Sequence, residues 1–233
     1  MQRYFCKEKK GNEFILEKSD YFHIEKVMRM KDGSQIEVVY NKNVYLCELN
    51  NFHVFQLEKL DKKEQIEPEI SLIIPLLKEQ KMDYILQKAT ELGVTRIIPT
   101  VMERSIIKVT EEKEEKKLIR WTKICKEASE QSMRTQIPII TKIHHFQDFQ
   151  NLEGVKFICS TREKENNIKK VLTKQKNCDK MYIVVGPEGG LSEKEEANLV
   201  KMGFVPVSLG TRILRVETVP LFLLSIINYQ NME

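Results

Sequence analysis

The stretch that decides the fold is Met181-Tyr182-Ile183-Val184-Val185-Gly186-Pro187-Glu188-Gly189-Gly190-Leu191-Ser192-Glu193-Lys194-Glu195. Its opening residues form a short unbroken apolar run, which predicts a buried strand. Gly186 to Gly190 then predict a tight turn that lets a ligand approach the backbone, because glycine has no side chain in the way. Ser192 and Glu195 have the spacing of a capping box, so a helix starts there. Further on, Phe204–Ser208 predicts another strand. It leads into Leu209-Gly210-Thr211-Arg212-Ile213-Leu214-Arg215-Val216-Glu217-Thr218 and an apolar helix. Two loops at the ends of consecutive strands can form two walls of one small-molecule site.

Common glycine-rich motifs do not fit. The dinucleotide fingerprint G-x-G-x-x-G is absent, and the phosphate loop needs Gly-Lys-Ser/Thr where this chain has Gly190-Leu191-Ser192. A lone Gly-Gly is as often a plain structural turn. The second loop changes that balance. Its two arginines and a glutamate, set among apolar residues, must be paired or face solvent, since a buried lone charge is costly.

Outward from this core, strands alternate with helices. Ser71–Leu76, Arg96–Val101 and Lys156–Ser160 read as strands. Met82, Ile85, Leu86, Ala89 and Leu92 recur at helical spacing before Gly93, and a long helix is expected over Glu111–Met133. Such alternation predicts an α/β domain with a mostly parallel sheet. Before residue 69 the pattern differs. Gln35–Tyr40 and Val44–Leu49 alternate, with turn signals at Asp32-Gly33 and Asn41-Lys42-Asn43, which predicts a small antiparallel β-barrel with a short helix over Tyr21–Met30. Asp61–Pro68 is polar and ends in proline, a linker signal. The expected domains are therefore residues 1–68 and 69–233.

Composition narrows the class. The chain has 233 residues, 41% hydrophobic and 31% charged, with a net charge of +4. No apolar run is long enough for a membrane span, and the charged start does not resemble a signal peptide. Five scattered cysteines without C-x-x-C spacing argue for reduced thiols, a cytoplasmic location and no metal site. Residues 1–68 carry as many acidic as basic side chains, so any RNA affinity there must come from a patterned surface.

The segments Gly186–Glu195 and Leu209–Thr218 resemble signatures of the bacterial small-subunit ribosomal RNA uridine-N3 methyltransferases, a family of the SPOUT superfamily. Lys88-Ala89-Thr90-Glu91-Leu92-Gly93-Val94, Glu103-Arg104-Ser105 and Glu127–Arg134 are similar to further family motifs, in the same order. Arg3-Tyr4-Phe5 and His23–Arg29 resemble those of its first domain. The resemblance implies a PUA-like RNA-binding barrel followed by a domain tied in a deep trefoil knot. It also implies an S-adenosylmethionine site in the knot loops, a homodimer, and 16S ribosomal RNA or the small subunit as substrate.

The residues expected to act follow from the chemistry. Uracil N3 holds a proton between two carbonyls and becomes nucleophilic only as that proton leaves, so the site needs a base or a group that stabilises the anion. Gly186, Pro187, Glu188, Gly189, Gly190, Leu209, Gly210, Arg212, Ile213, Leu214 and Thr218 are expected to hold the cofactor, with Thr161 as a third wall. Gly189→Val is expected to abolish cofactor binding through a clash. Arg134 and Arg215 are the expected cations at the uracil, and Gln131 would orient it. Glu217 is either a base or the partner of Arg212 or Arg215. Arg3, His23, Arg29 and Arg104 are expected to meet RNA. Two alternatives stay open: the same fold acting on another RNA position, and a non-catalytic RNA-binding assembly factor.

Overall fold

A computed structural model describes residues 1–61, 68–107, 109–174 and 178–232. Most of the expected linker, Lys62–Glu67, lies outside the described residues. The chain forms two compact units: Met1–Gln65 with Lys126–Ile137, and Ile66–Cys125 with Pro138–Glu233.

The first unit is a curled six-stranded sheet. Its strands are β1 (Arg3–Phe5), β2 (Glu8–Lys10), β3 (Glu13–Ile15), β4 (Gln35–Tyr40), β5 (Asn43–Asn50) and β6 (His53–Leu60), in the order β1-β4-β5-β6-β3-β2. The alternation read from the sequence is real: Ile36, Val38, Val44, Cys47, Leu49 and Val54 line one core with Tyr4 and Phe14. One pairing departs from expectation, since β1 and β4 run parallel. The β4–β5 turn is made by Asn41 and Lys42, both at positive φ (49° and 64°), the backbone that hairpins favour. The expected helix over Tyr21–Met30 is shifted. An α-helix, α1 (Lys18–Phe22), passes into a single π-helical turn, His23–Val27.

Lys126–Ile137 adds a charged network to this unit. The Lys126 ammonium is bonded to Asp20, and Glu130 Oε1 lies 3.3 Å from it while accepting from Phe5 N at 3.3 Å. Burial pushes the Glu130 carboxyl up to about 7, outweighing the Lys126 charge beside it. The folded chain then keeps a proton that an ordinary glutamate in the unfolded chain releases near pH 4.5. Stability should therefore fall as pH rises from about 4.5 to about 7 and level off above, by on the order of 1–3 kcal/mol. Glu130→Gln should flatten this slope. Urea unfolding of both proteins at pH 5 and pH 8 checks it, and identical pH slopes would refute the linkage.

The second unit is a six-stranded sheet with every pairing parallel: β7 (Glu69–Pro75), β8 (Arg96–Thr100), β9 (Ile139–Ile140), β10 (Val155–Cys159), β11 (Lys180–Val184) and β12 (Val205–Val207). The strand order is β12-β10-β11-β7-β8-β9. The helices are α2 (Glu79–Glu91), α3 (Glu111–Gln131), α4 (Ile168–Lys174), α5 (Glu193–Lys201) and α6 (Thr218–Asn231), and the last turns of α3 cluster with the first unit. Parallel strands buried on both faces need continuous apolar runs. Ile70, Leu72, Ile73, Ile74, Ile97, Phe157, Ile158, Ile183 and Val184 supply them, each at most 2% exposed. The short β9 and helix α4 carry too little periodicity to be read from sequence. Among the described residues no helix is long and apolar enough to cross a membrane.

Candidate functional site

Because all six strands of the second unit are parallel, the loops after β8, β10, β11 and β12 leave the same edge of the sheet. That is the edge where such sheets bind ligands. The glycine turn after β11 is closed by the Gly190 N–H donating to Pro187 O at 2.8 Å. Helix α5 follows with the expected capping box: Ser192 Oγ accepts from Glu195 N, and Glu195 Oε2 accepts from Ser192 N at 2.9 Å. Glu195 does more than cap. Its Oε1 accepts from Glu103 N at 2.7 Å, which ties the loop after β8 to this turn. Arg104 Nη1 donates to Gly189 O at 2.8 Å in the same tie. Glu195→Ala should lower stability by about 1–2 kcal/mol by removing both functions. Chemical denaturation tests this, and a change within error would refute it.

The other walls are joined in the same way. Arg162, next to Thr161, donates from Nη2 to Leu191 O at 2.9 Å and pairs with Glu196 at 2.6 Å. Ser160 Oγ donates to Glu196 Oε1 at 2.7 Å. Asn166 Nδ2 donates to Pro206 O, and Ser208 N donates to Asn166 O, both at 2.9 Å. The loops carrying Thr161, the glycine turn and Leu209–Thr218 are thus fixed to one another. Thr161, Gly210, Arg212, Ile213, Arg215 and Thr218 are exposed along them, Ile213 at 84%.

The glycines have unequal roles. Gly189 does not have a positive φ, and a Cβ there would meet only the flexible Arg104 side chain at 3.5 Å. The clash expected of Gly189→Val is therefore not built in. At Gly186 a Cβ would approach Leu191 N to 3.1 Å, so a side chain there would crowd the turn's own backbone. Gly190 (φ +67°) and Gly210 (φ +116°) require the backbone freedom of glycine, and a Cβ at either faces open space. Exposed backbone beside open space in both loops fits a ligand lying against the main chain.

Several expected roles are corrected. Glu217 pairs with Lys81, whose Nζ is 3.5 Å from its Oε2, rather than with Arg212 or Arg215. Lys81 also donates to Glu188 Oε1 at 2.8 Å, so it bridges the two loops. Arg3, expected at an RNA surface, is 3% exposed. Its Nε donates to Glu37 Oε2 at 2.9 Å, and its Nη1 donates to the carbonyls of Met133 and Arg134 where α3 ends. Met133 has a positive φ of 60°, so the chain reverses there and presents those carbonyls to a cation. His23 is half-buried with Nδ1 2.9 Å from the Tyr4 hydroxyl, whereas Arg29 is exposed. Gln131 is exposed and Arg134 half-buried, both within the first unit. Sequence reasoning missed Lys81, Arg162, Asn166 and Glu196. Nothing in their spacing separates them from the many other charged and polar surface residues.

A parallel sheet with four loops tied to one another at one edge makes that edge the candidate ligand site of the second unit. Residues 64–228 match the RNA methyltransferase domain family and residues 16–54 the RNA methyltransferase PUA domain. The chain is 34% identical to ribosomal RNA small subunit methyltransferase E of Bacillus subtilis, covering 99% of this chain and 97% of that one. It is also 34% identical to the protein of that name from Mesomycoplasma hyopneumoniae, with coverages of 97% and 98%. A crystal structure of the Neisseria gonorrhoeae protein of that name, bound to S-adenosyl methionine, superposes with a TM-score of 0.87 at 28% identity over 98% of this chain and 97% of that one. The chain belongs to the ribosomal RNA small subunit methyltransferase E family.

Proposed function

We propose that this protein transfers a methyl group from S-adenosylmethionine to N3 of a uridine in 16S ribosomal RNA. The observation that carries this reading is the joined loop set, with Gly190 and Gly210 baring main chain beside open space. The backbone of Gly186–Gly190 and the side chains of Leu209, Ile213 and Leu214 would hold the cofactor, with Thr161, Arg212 and Thr218 at its rim. When bound, S-adenosylmethionine supplies an electrophilic methyl group on a sulfonium sulfur. The chain's own work is to orient the acceptor base, exclude water and stabilise negative charge as the N3 proton leaves. The base must leave any stack to reach such a site.

The first unit, with Arg29 exposed and Gln131 and Arg134 at the end of α3, would take up RNA, and the second unit would bind cofactor. A homodimer is part of the same reading. Helix α6 leaves Phe222 and Tyr229 exposed, which suits burial against a second copy. The reading also places the enzyme in the cytoplasm, with the ribosome. Calorimetry with S-adenosylmethionine, paired with methyl incorporation into isolated small and large ribosomal subunits, tests the proposal. Cofactor binding with label confined to the small subunit supports it. An absence of cofactor binding would favour a non-catalytic assembly factor, and binding with no label in either subunit would favour another RNA substrate.

A further inference from the structure

Beside the Lys81 bridge, the second unit holds a cavity of about 460 Å³ lined by Gln80, Lys81, Tyr84, Glu217, Thr218 and Leu221. Its volume is in the range of small-molecule sites. Glu217 Oε2 is buried without a hydrogen bond, and the nearest cation is Lys81 at 3.5 Å. Tyr84 is 45% exposed. The hydrogen bond that Lys81 donates to Glu188 raises the Lys81 pKa, so this side chain stays an ammonium.

We propose that this cavity seats the acceptor uracil and that Lys81 is the cation meeting one of its carbonyl oxygens. The inference rests on the function proposed above and deepens it. The pairing edge of uracil presents a carbonyl, the N3–H and a second carbonyl. Its complement is a donor, an acceptor and a donor. Lysine offers donors only, and an ionised glutamate offers acceptors only. Lys81 therefore suits a carbonyl, and the unbonded Glu217 oxygen suits the N3–H. The Gln80 amide or the Thr218 hydroxyl suits the second carbonyl. Tyr84 and Leu221 supply flat and apolar surface for the ring, as in single-stranded RNA sites. Cytosine carries an amine where uracil has O4 and has no proton on N3, so it would set donor against Lys81 and acceptor against Glu217. The cavity thus selects uracil over cytosine. As the N3 proton passes to the Glu217 carboxylate, the electron pair left on the ring spreads onto the carbonyl oxygen held by Lys81.

The test uses the full chain and small-subunit ribosomal RNA transcribed with 4-thiouridine. Ultraviolet cross-linking should join the thiobase to peptides containing Tyr84 or Leu221. Lys81→Met should lower the single-turnover methylation rate by about a hundredfold or more at saturating cofactor. Because Glu188 is partly exposed and water can replace the lost contact, affinity for S-adenosylmethionine should change by less than about threefold. Lys81→Arg keeps the charge and should stay within about tenfold of wild type. Three results would each overturn the assignment: a wild-type rate in Lys81→Met, a fall in rate matched by an equal fall in cofactor affinity, or cross-links confined to other peptides. Loss of a dimer in Lys81→Met, with no cross-link at Tyr84 or Leu221, would make the cavity an interface between copies instead. A wild-type protein that methylates no uridine would fail the functional reading itself, while the cross-links would still decide whether the cavity takes the base.

Discussion

Gly210→Val should weaken S-adenosylmethionine binding by more than about a hundredfold while leaving the protein folded. Gly210 has a φ of +116°, a region that residues with a Cβ rarely adopt. A β-branched residue there must either hold strain on the order of 1–3 kcal/mol or swing the loop to a negative φ. The loop is anchored just before this point, where Ile168 N donates to Ser208 O at 2.9 Å and β12 is paired with β10. The relaxation therefore passes forward, into Arg212, Ile213 and Leu214. Nothing blocks a Cβ sterically, so the fold survives and the loss falls on the ligand site. Calorimetry on the variant, with circular dichroism to verify folding, measures it. A folded Gly210→Val protein with wild-type affinity would remove Leu209–Leu214 from the cofactor site.

Arg3→Met should destabilise the first unit by about 3–5 kcal/mol, because it strips the cation from a buried ion pair. The side chains of Arg3 and Glu37 are only 2% and 7% exposed. Removing the guanidinium takes the Arg3 charge away from the Glu37 carboxylate in that interior. It also leaves the Met133 and Arg134 carbonyls at the end of α3 without their donor. The double variant Arg3→Met/Glu37→Leu should recover much of the loss, since an apolar pair can replace a buried ion pair at little net cost. Guanidinium unfolding of the single and double variants decides it. A single variant within about 1 kcal/mol of wild type would return Arg3 to the RNA-facing surface. The same substitution should lower RNA methylation indirectly, because Gln131 and Arg134 sit on the segment that Arg3 holds.

What was legible in the sequence is what depends on short-range pattern. The Met181–Val185 run, the Ser192–Glu195 capping box and the spacing of Met82, Ile85, Leu86 and Ala89 each encode a local structure, and each appears as read. The long-range partners were not legible. Arg3 looks like any exposed N-terminal arginine until β1 pairs with β4 and brings Glu37 opposite it. Lys81 looks like one of many lysines until the N-terminal turns of α2 meet both Glu188 and Glu217. The strict need for glycine fell on Gly190 and Gly210 rather than Gly189, because φ is set by how the loop closes and not by the Gly-Gly pair itself. Periodicity gives elements but not the path that connects them, so the expectation of a knot rested on the resemblance alone.

The most direct test of the central reading is nucleoside mass spectrometry after one reaction. Purified protein is incubated with isotopically labelled S-adenosylmethionine and small ribosomal subunits from cells that lack this enzyme, and the 16S RNA is digested to nucleosides. The expected result is labelled 3-methyluridine as the single new nucleoside, at up to one per subunit. Label on a ribose hydroxyl or on another base, or no label with the cofactor demonstrably bound, would contradict it.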